Sequence, residues 1–228
     1  MPEATGSVAP LCVCGLAAEA RVARAAGFPV VVGAADRRRT TALVESSVSR
    51  VSCLVSFGLA GALAPELRVG EVIVSTDVIA ANKRWWAGRQ FRDRVADLAR
   101  GIGARQGAVL GVEAILATTA QKSRAWNETR ASAADLESDI VAALATSAGI
   151  PFVVVRAISD PAQRELPPAA LLPLSENGAP KLARVLASVL RRPNQITALI
   201  GLARDTRTAL SALAGPARAL HALVTAAA

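Results

Sequence analysis

The 228-residue chain has no tyrosine, and four phenylalanines and three tryptophans bring its aromatic fraction to only 3%. That argues against a row of stacked rings reading nucleic-acid bases. Histidine occurs once, as His221 near the C-terminal end. A single remote imidazole argues against a Ser–His or Cys–His pair and against a histidine-built metal site. The three cysteines, Cys12, Cys14 and Cys53, all lie in apolar stretches. Cys12 and Cys14 share one face of a predicted strand, and all three read as buried thiols in a reducing compartment. No apolar run reaches the length of a membrane span. Residues 1–10 lack the basic and apolar regions of a leader peptide. A cytoplasmic protein without metal or cofactor is expected.

What the chain has in quantity is apolar side chains, 52% of the total, with a formal charge of +8. The length suits one substantial core better than two. The positive balance would suit nucleic acid, an anionic membrane surface or a phosphorylated substrate. The arginines are dispersed, however, and no nucleic-acid-binding module is visible, so no nucleic-acid partner is expected.

Apolar runs of strand length occupy 10–15, 29–33, 51–57, 71–75, 107–116 and 151–158. Helical patterns occupy 18–26, 40–49, 89–101, 134–148 and 182–190. Gly149 and Pro151 punctuate the last change from helix to strand. The alternation predicts an α/β fold, a mixed, mostly parallel central sheet flanked by helices. Ligands of such sheets gather at the carboxyl ends of the strands. A proline-rich loop follows at 161–173. The predicted organisation is a catalytic domain over 1–192 and an amphipathic helical extension over 193–228, packed on that domain or on a membrane.

Four strand-end segments carry polar groups suited to chemistry. Val153 to Asp160 is an apolar strand ending in Ser159 and Asp160, where the aspartate is either a functional acid or a helix N-cap. Ala134-Asp135-Leu136-Glu137-Ser138-Asp139 opens a predicted helix with three carboxylates. Helix-dipole stabilisation accounts for one or two of these, but Glu137 falls on the apolar face with Val141 and Leu144, where a carboxylate needs a further reason. Phe57-Gly58-Leu59-Ala60-Gly61-Ala62-Leu63 follows a strand with glycines that permit close approach of a ligand. It is neither the dinucleotide pattern nor a P-loop. Glu19 lies four residues past Gly15, at the end of the first strand.

Together and in this order, these motifs resemble the purine nucleoside phosphorylase and methylthioadenosine nucleosidase superfamily across residues 11–190. The downstream Leu67-Arg68-Val69-Gly70-Glu71-Val72 adds to the resemblance. The proline-rich segment and the tail, Arg191-Arg192-Pro193-Asn194-Gln195-Ile196 and Leu202-Ala203-Arg204-Asp205-Thr206-Arg207, are similar to the hopanoid-biosynthesis-associated branch, described as 5′-adenosylhopane nucleosidases.

The resemblance implies Asp160 as the acid that protonates the departing purine, in surroundings that hold its proton. It implies Glu137 on the ribose hydroxyls, its charge favouring a cationic transition state. Glu19 becomes the base for the attacking water. Gly58, Leu59, Ala60, Ile115, Leu116, Leu136 and Ser159 become substrate-binding positions, and Arg156 and Ser159 also support the local architecture. Leu59 and Leu136 stand where the superfamily carries a small polar residue and a methionine, and Ile115 stands for an aromatic near the base. The more apolar sugar side suits a greasy 5′ substituent.

Phosphate is a possible co-substrate. Arg37, Arg38 and Arg39 form either an anion pocket or a solvated basic turn, whereas Glu19 would repel phosphate and favours hydrolysis. The expected partners are a lipid-linked purine nucleoside and a second copy of the chain. Peripheral contact with an anionic membrane is a third expectation, through 194–214 with Arg191, Arg192, Arg204 and Arg207, and through Trp85 and Trp86. The competing functions are turnover of small nucleosides such as methylthioadenosine, and a non-catalytic binding scaffold.

Overall fold

The computed structural model describes residues 9–226; residues 1–8, on which most of the leader-peptide reading rests, lie outside the described part. The chain begins with β1 (Leu11–Cys14), α1 (Ala17–Ala25) and β2 (Val30–Val32). It continues through α2 (Arg37–Glu45), β3 (Leu54–Ala62), β4 (Val72–Ser75), β5 (Asp77–Ala80) and β6 (Lys83–Trp86). Then come α3 (Arg89–Gly101), β7 (Arg105–Gln106), β8 (Val109–Gly111), α4 (Thr119–Thr129) and β9 (Ala133–Asp135). The remainder is α5 (Ser138–Ala148), β10 (Phe152–Asp160), α6 (Leu182–Arg191), α7 (Ile196–Ala212) and α8 (Ala214–Thr225).

The ten strands form one mixed sheet in the order β6-β5-β8-β9-β3-β10-β4-β7, with β1 joined to β3 and carrying β2. β10 shows why it is central: all nine of its residues are buried. Phe152, Val154 and Ile158 enter the core beneath α2 and α5, while Val153, Val155 and Ala157 enter the core beneath α1, α3, α7 and α8. A strand covered on both faces reads as an unbroken apolar run, which is how it stands in the sequence. Cys12 and Cys14 share the second core, buried and free of disulfides.

β3 positions the functional residues. Its first half pairs in parallel with β1, Leu54 to Leu11 through Ser56 to Val13. Its end pairs antiparallel with β9, Gly61 to Ala134 and Ala62 to Ala133. Between them, residues 57–60 have no strand partner on that edge among the described residues, although the other edge pairs with β10 through Ala60 and Gly61. The sheet divides there, at the carboxyl end of β1, the kind of crevice where α/β sheets bind ligands.

Several boundaries differ from the periodicity reading. The stretch 57–63 is strand through Ala62 rather than loop, because β10 pairs with it as far as Gly61 and β9 pairs with Gly61 and Ala62. The 134–148 pattern is two elements, β9 and α5, with Glu137 as the residue before the helix. The 107–116 run forms only the three-residue β8, leaving Ile115 and Leu116 in the following loop. Thr118 and Gln121 form a capping box that starts α4, a helix whose weak apolar pattern leaves little periodic signal. Trp85 and Trp86 belong to β6; Trp85 packs on the core, and Trp86 is exposed beneath the Arg84 guanidinium.

The tail is part of the packed structure. Ala209, Leu213, Ala217, Leu220 and Val224 are buried in the second core. The His221 ring meets Phe28 edge-on at 4.8 Å, and Arg164 pairs with Asp205. The end of α7 therefore cannot also lie on a bilayer, which removes part of the 194–214 surface expected to do so. No described helix is long and apolar enough to cross a membrane.

Candidate active site

Glu19 projects from the first turn of α1 into the divided edge of β3. Its Oε2 accepts from the backbone N–H groups of Gly15 (2.9 Å) and Leu16 (2.7 Å), and its Oε1 accepts from Leu59 N–H (2.8 Å). Leu59 lies in the stretch that has no strand partner, so Glu19 replaces the missing neighbour. A carboxylate has about four acceptor positions, and these three amides leave one for a further donor. The carboxyl is buried, and burial holds its pKa above the ordinary value against the opposing pull of Arg156 and the three amides.

Gly58 explains this placement. Its φ is +155°, and a Cβ built there would fall on the Glu19 carboxyl. Gly15 serves Glu137 in the same way, since a Cβ on Gly15 would come 2.5 Å from Glu137 Oε1. The glycines therefore admit two of the protein's own carboxylates.

Beneath them Arg156, fully buried on β10, donates through Nε to Asp135 and through Nη2 to Ser56 Oγ at 2.6 Å. Glu137 Oε2 lies 3.6 Å from Nη2. Asp135 also accepts from the backbone N–H of Glu137 (3.1 Å) and Ser138 (2.9 Å), so it holds the start of α5. It is the structural partner of Arg156, in line with the architectural role expected of that arginine. Glu137 is pushed up to about 8, first by burial and then by Asp135, Glu19 and Asp139, with Arg156 opposing. Three carboxylates thus face one guanidinium. Arg156 Nη1 is buried without a hydrogen-bond partner among the described residues.

Asp160 ends β10 at a bulge: Ile158 pairs with Ala60 and Asp160 with Gly61, leaving Ser159 as the extra residue. Bulges re-aim side chains, and this one aims Asp160 at the glycine of β3, within 2.9 Å of a Cβ built on Gly61. The segment after Asp160 is a turn rather than a helix, so the aspartate caps nothing. Ser159 Oγ donates to Asp160 Oδ1 at 2.8 Å, and Lys122 Nζ donates to Oδ2 at 2.5 Å. The carboxyl of Asp160 is thus held by two donors, a hydroxyl on one oxygen and a buried ammonium on the other. Lys122, from α4, gave no signal in the sequence, where it reads as one polar residue on a polar helix.

Gly58, Leu59 and Ala60 form the strip of β3 between the Glu19–Glu137 cluster and Asp160. Leu59 and Leu136 are half-buried, and Leu116 packs near Leu110. Ile115 is 40% exposed. Its loop is tied to the segment after Asp160 by Leu166 N–H donating to the Ala117 carbonyl at 2.8 Å. A cavity of about 480 Å³ beside this loop is lined by Glu113, Gly111, Trp85 and Asp139, but not by Glu19, Glu137 or Asp160.

Arg37, Arg38 and Arg39 form the first turn of α2 rather than a loose turn, capped by Asp36. Arg37 makes a bidentate pair with Asp139 (2.6 and 3.0 Å) and reaches the Leu136 carbonyl at 3.1 Å. Its guanidinium is committed to α5, so it is not a free anion site. No group of three or more His, Cys, Asp and Glu residues among those described could hold a metal ion.

The Phosphorylase superfamily matches residues 32–191. The chain belongs to this superfamily. It is accordingly an enzyme, and its α/β architecture is that of solved relatives. The 5′-methylthioadenosine/S-adenosylhomocysteine nucleosidase of Neisseria meningitidis, in complex with methylthio-immucillin-A, superposes with a TM-score of 0.65 at 16% identity, covering 96% of this chain and 99% of that one. The S-adenosylhomocysteine nucleosidase of Streptococcus pyogenes gives 0.62 at 15% identity over 93% and 98%. The futalosine hydrolase of Helicobacter pylori gives 0.58 at 17% identity over 81% and 98%. No curated protein matches the sequence.

Proposed function

We propose that this phosphorylase-superfamily protein is a nucleosidase that hydrolyses the N-glycosidic bond of 5′-adenosylhopane, releasing adenine and ribosylhopane. The observation that carries the hydrolytic reading is the Glu19 carboxylate, held by three backbone amides at the divided sheet edge with one acceptor position to spare. That position suits a water molecule, from which Glu19 takes a proton as the oxygen attacks the sugar.

Breaking the bond leaves positive charge on the ribose and an electron pair on the base. The carboxylates of Glu19, Glu137 and Asp135 outnumber the one buried guanidinium. Burial raises both glutamates, and the repulsion that adds to it at Glu137 is relieved by a cation among them, so the site favours the charge that develops. Glu137 serves the ribose hydroxyls, and Asp160 serves the base as proton donor. Phosphate would meet the same carboxylates as a repulsive wall, and Arg37 is engaged with Asp139. We therefore read phosphate as unnecessary.

The lipid substituent is supported by apolar Leu59 and Leu136 and by an exposed surface. On α6, Leu186 is 60% and Leu190 is 75% exposed, with Ile196 and Ile200 continuing onto α7. Arg184, Arg191 and Arg192 are exposed with them. This basic apolar face suits an anionic bilayer or, as the competing occupant, a second copy of the chain. Flotation with anionic vesicles tests the first, and absence of binding overturns it.

The second reading, turnover of a small purine nucleoside, draws on the relatives whose structures hold methylthioadenosine or methylthio analogues. The deciding experiment is adenine release from adenosylhopane in detergent, with and without phosphate. Release in both conditions supports the proposal. Release only with phosphate overturns hydrolysis, and turnover of methylthioadenosine alone overturns the lipid assignment.

A further inference from the structure

Lys122 is 1% exposed, and its ammonium has three N–H groups for three acceptors: Asp160 Oδ2 at 2.5 Å, the Arg164 carbonyl at 2.9 Å and the Pro161 carbonyl at 3.0 Å. A buried charge is costly unless paired and hydrogen-bonded, and here every N–H is used. The residue is also held from behind. Thr118 and Gln121 cap α4, and the Lys122 backbone N–H donates to the Thr118 carbonyl. The two oxygens of Asp160 are thereby made different. Oδ2 belongs to the lysine, while Oδ1 meets only the Ser159 hydroxyl, which has a second acceptor, the Ala60 carbonyl, at 3.4 Å. Rotation of that hydroxyl frees Oδ1 to carry a proton.

We propose that Lys122 is a positioning residue that acts through Asp160 on the departure of the base, an inference that rests on the nucleosidase reading. In the step, the bond between Oδ1 and its proton breaks and the proton passes to a ring nitrogen of the base. The sugar–base bond breaks with its electron pair going to the base. Asp160 remains as a carboxylate whose Oδ2 already faces the ammonium, and a solvent proton restores the acid. Lys122 thus meets a neutral acid before the transfer and an anion after it. An interaction that strengthens along the reaction lowers the barrier rather than tightening binding. A merely structural lysine would tie down residues 160–164 and serve every substrate alike.

The test uses two leaving groups on the full-length protein. One is the adenine of 5′-adenosylhopane in detergent, which leaves with a proton. The other is the nitrophenolate of 4-nitrophenyl β-D-ribofuranoside, which is stable as an anion and needs none. For Lys122→Met, kcat for adenine release falls by about 100-fold or more while KM and nitrophenolate release change by less than about threefold. Lys122→Arg, which keeps the charge, recovers part of the loss. If the methionine variant does not fold, Lys122→Gln makes the same comparison, keeping two donors for the carbonyls and removing the charge. Equal losses on both substrates overturn the role of Lys122 and leave the nucleosidase reading intact. A wild-type protein that cleaves the nitrophenyl riboside but releases no adenine overturns that reading, and the proposal with it.

Discussion

The α-carbon of Gly58 and the carboxyl of Glu19 occupy adjoining space that leaves no room for a methyl group between them. Glycine is also favoured there by its φ of +155°. Gly58→Ala must therefore move either β3 or Glu19. β3 is paired with β10 along almost its whole length, so the side chain yields. We expect activity to fall by about 100-fold, the usual scale for an ångström of misplacement, while the fold persists. Adenine release read beside a thermal melt checks this. Unchanged turnover would mean that the position of Glu19 is not critical.

Glu137 makes stability depend on pH. Its carboxyl titrates near 8 in the folded chain, above its ordinary value of 4.5. Between those pH values the native state holds a proton that the unfolded chain has released, so stability falls as pH rises through the window. The slope from this group is at most about 1.4 kcal/mol per pH unit, one proton's worth. Glu137→Gln, neutral throughout, should flatten the profile and be more stable than the wild type above pH 8. Urea denaturation across pH 5 to 9 tests it, and parallel profiles for the two proteins would refute it.

The strands that run deepest were legible in the sequence because burial on both faces leaves an unbroken apolar run, as in β10. The short strands were not. β6 contains Lys83 and Arg84, and β9 has three residues, so both are set by their neighbours in the sheet rather than by any local pattern. Glu19, Glu137 and Asp160 could be named because each departs from an otherwise apolar or glycine-rich context. Lys122 could not. A buried lysine and an exposed one look alike in a polar helix, and only the fold places Asp160 beside this one. The meaning of Arg37 was hidden for the same reason, since its partner Asp139 lies about 100 residues away.

Removing the Glu19 side chain empties a cradle of three amide donors. Glu19→Ala should lose about 100- to 10,000-fold in hydrolysis, the range for a positioned base. The vacated amides suit a small carboxylate, so formate should restore part of the rate, saturating with concentration. Rescue by formate but not by chloride at equal ionic strength would tie the loss to the missing carboxylate. A loss that formate leaves untouched would assign Glu19 to helix capping, its other visible task.

Arg37 separates hydrolysis from phosphate chemistry. Its guanidinium makes two bonds to Asp139 and bonds the Leu136 carbonyl, beside Glu137. In Arg37→Ala, Asp139 keeps its place at the N-terminus of α5 but loses its partner. The guanidinium is about one-third exposed, so solvent screens part of the loss, and destabilisation of about 1–3 kcal/mol is expected. If Arg37 only braces α5, adenine release from the variant should be as indifferent to phosphate as that of the wild type. A phosphate-stimulated rate in the wild type that disappears in Arg37→Ala would instead make this arginine an anion ligand that lets go of Asp139 when phosphate arrives, and the enzyme a phosphorylase. Measuring both proteins from zero to saturating phosphate distinguishes the two, because bracing lowers stability without bending the phosphate curve.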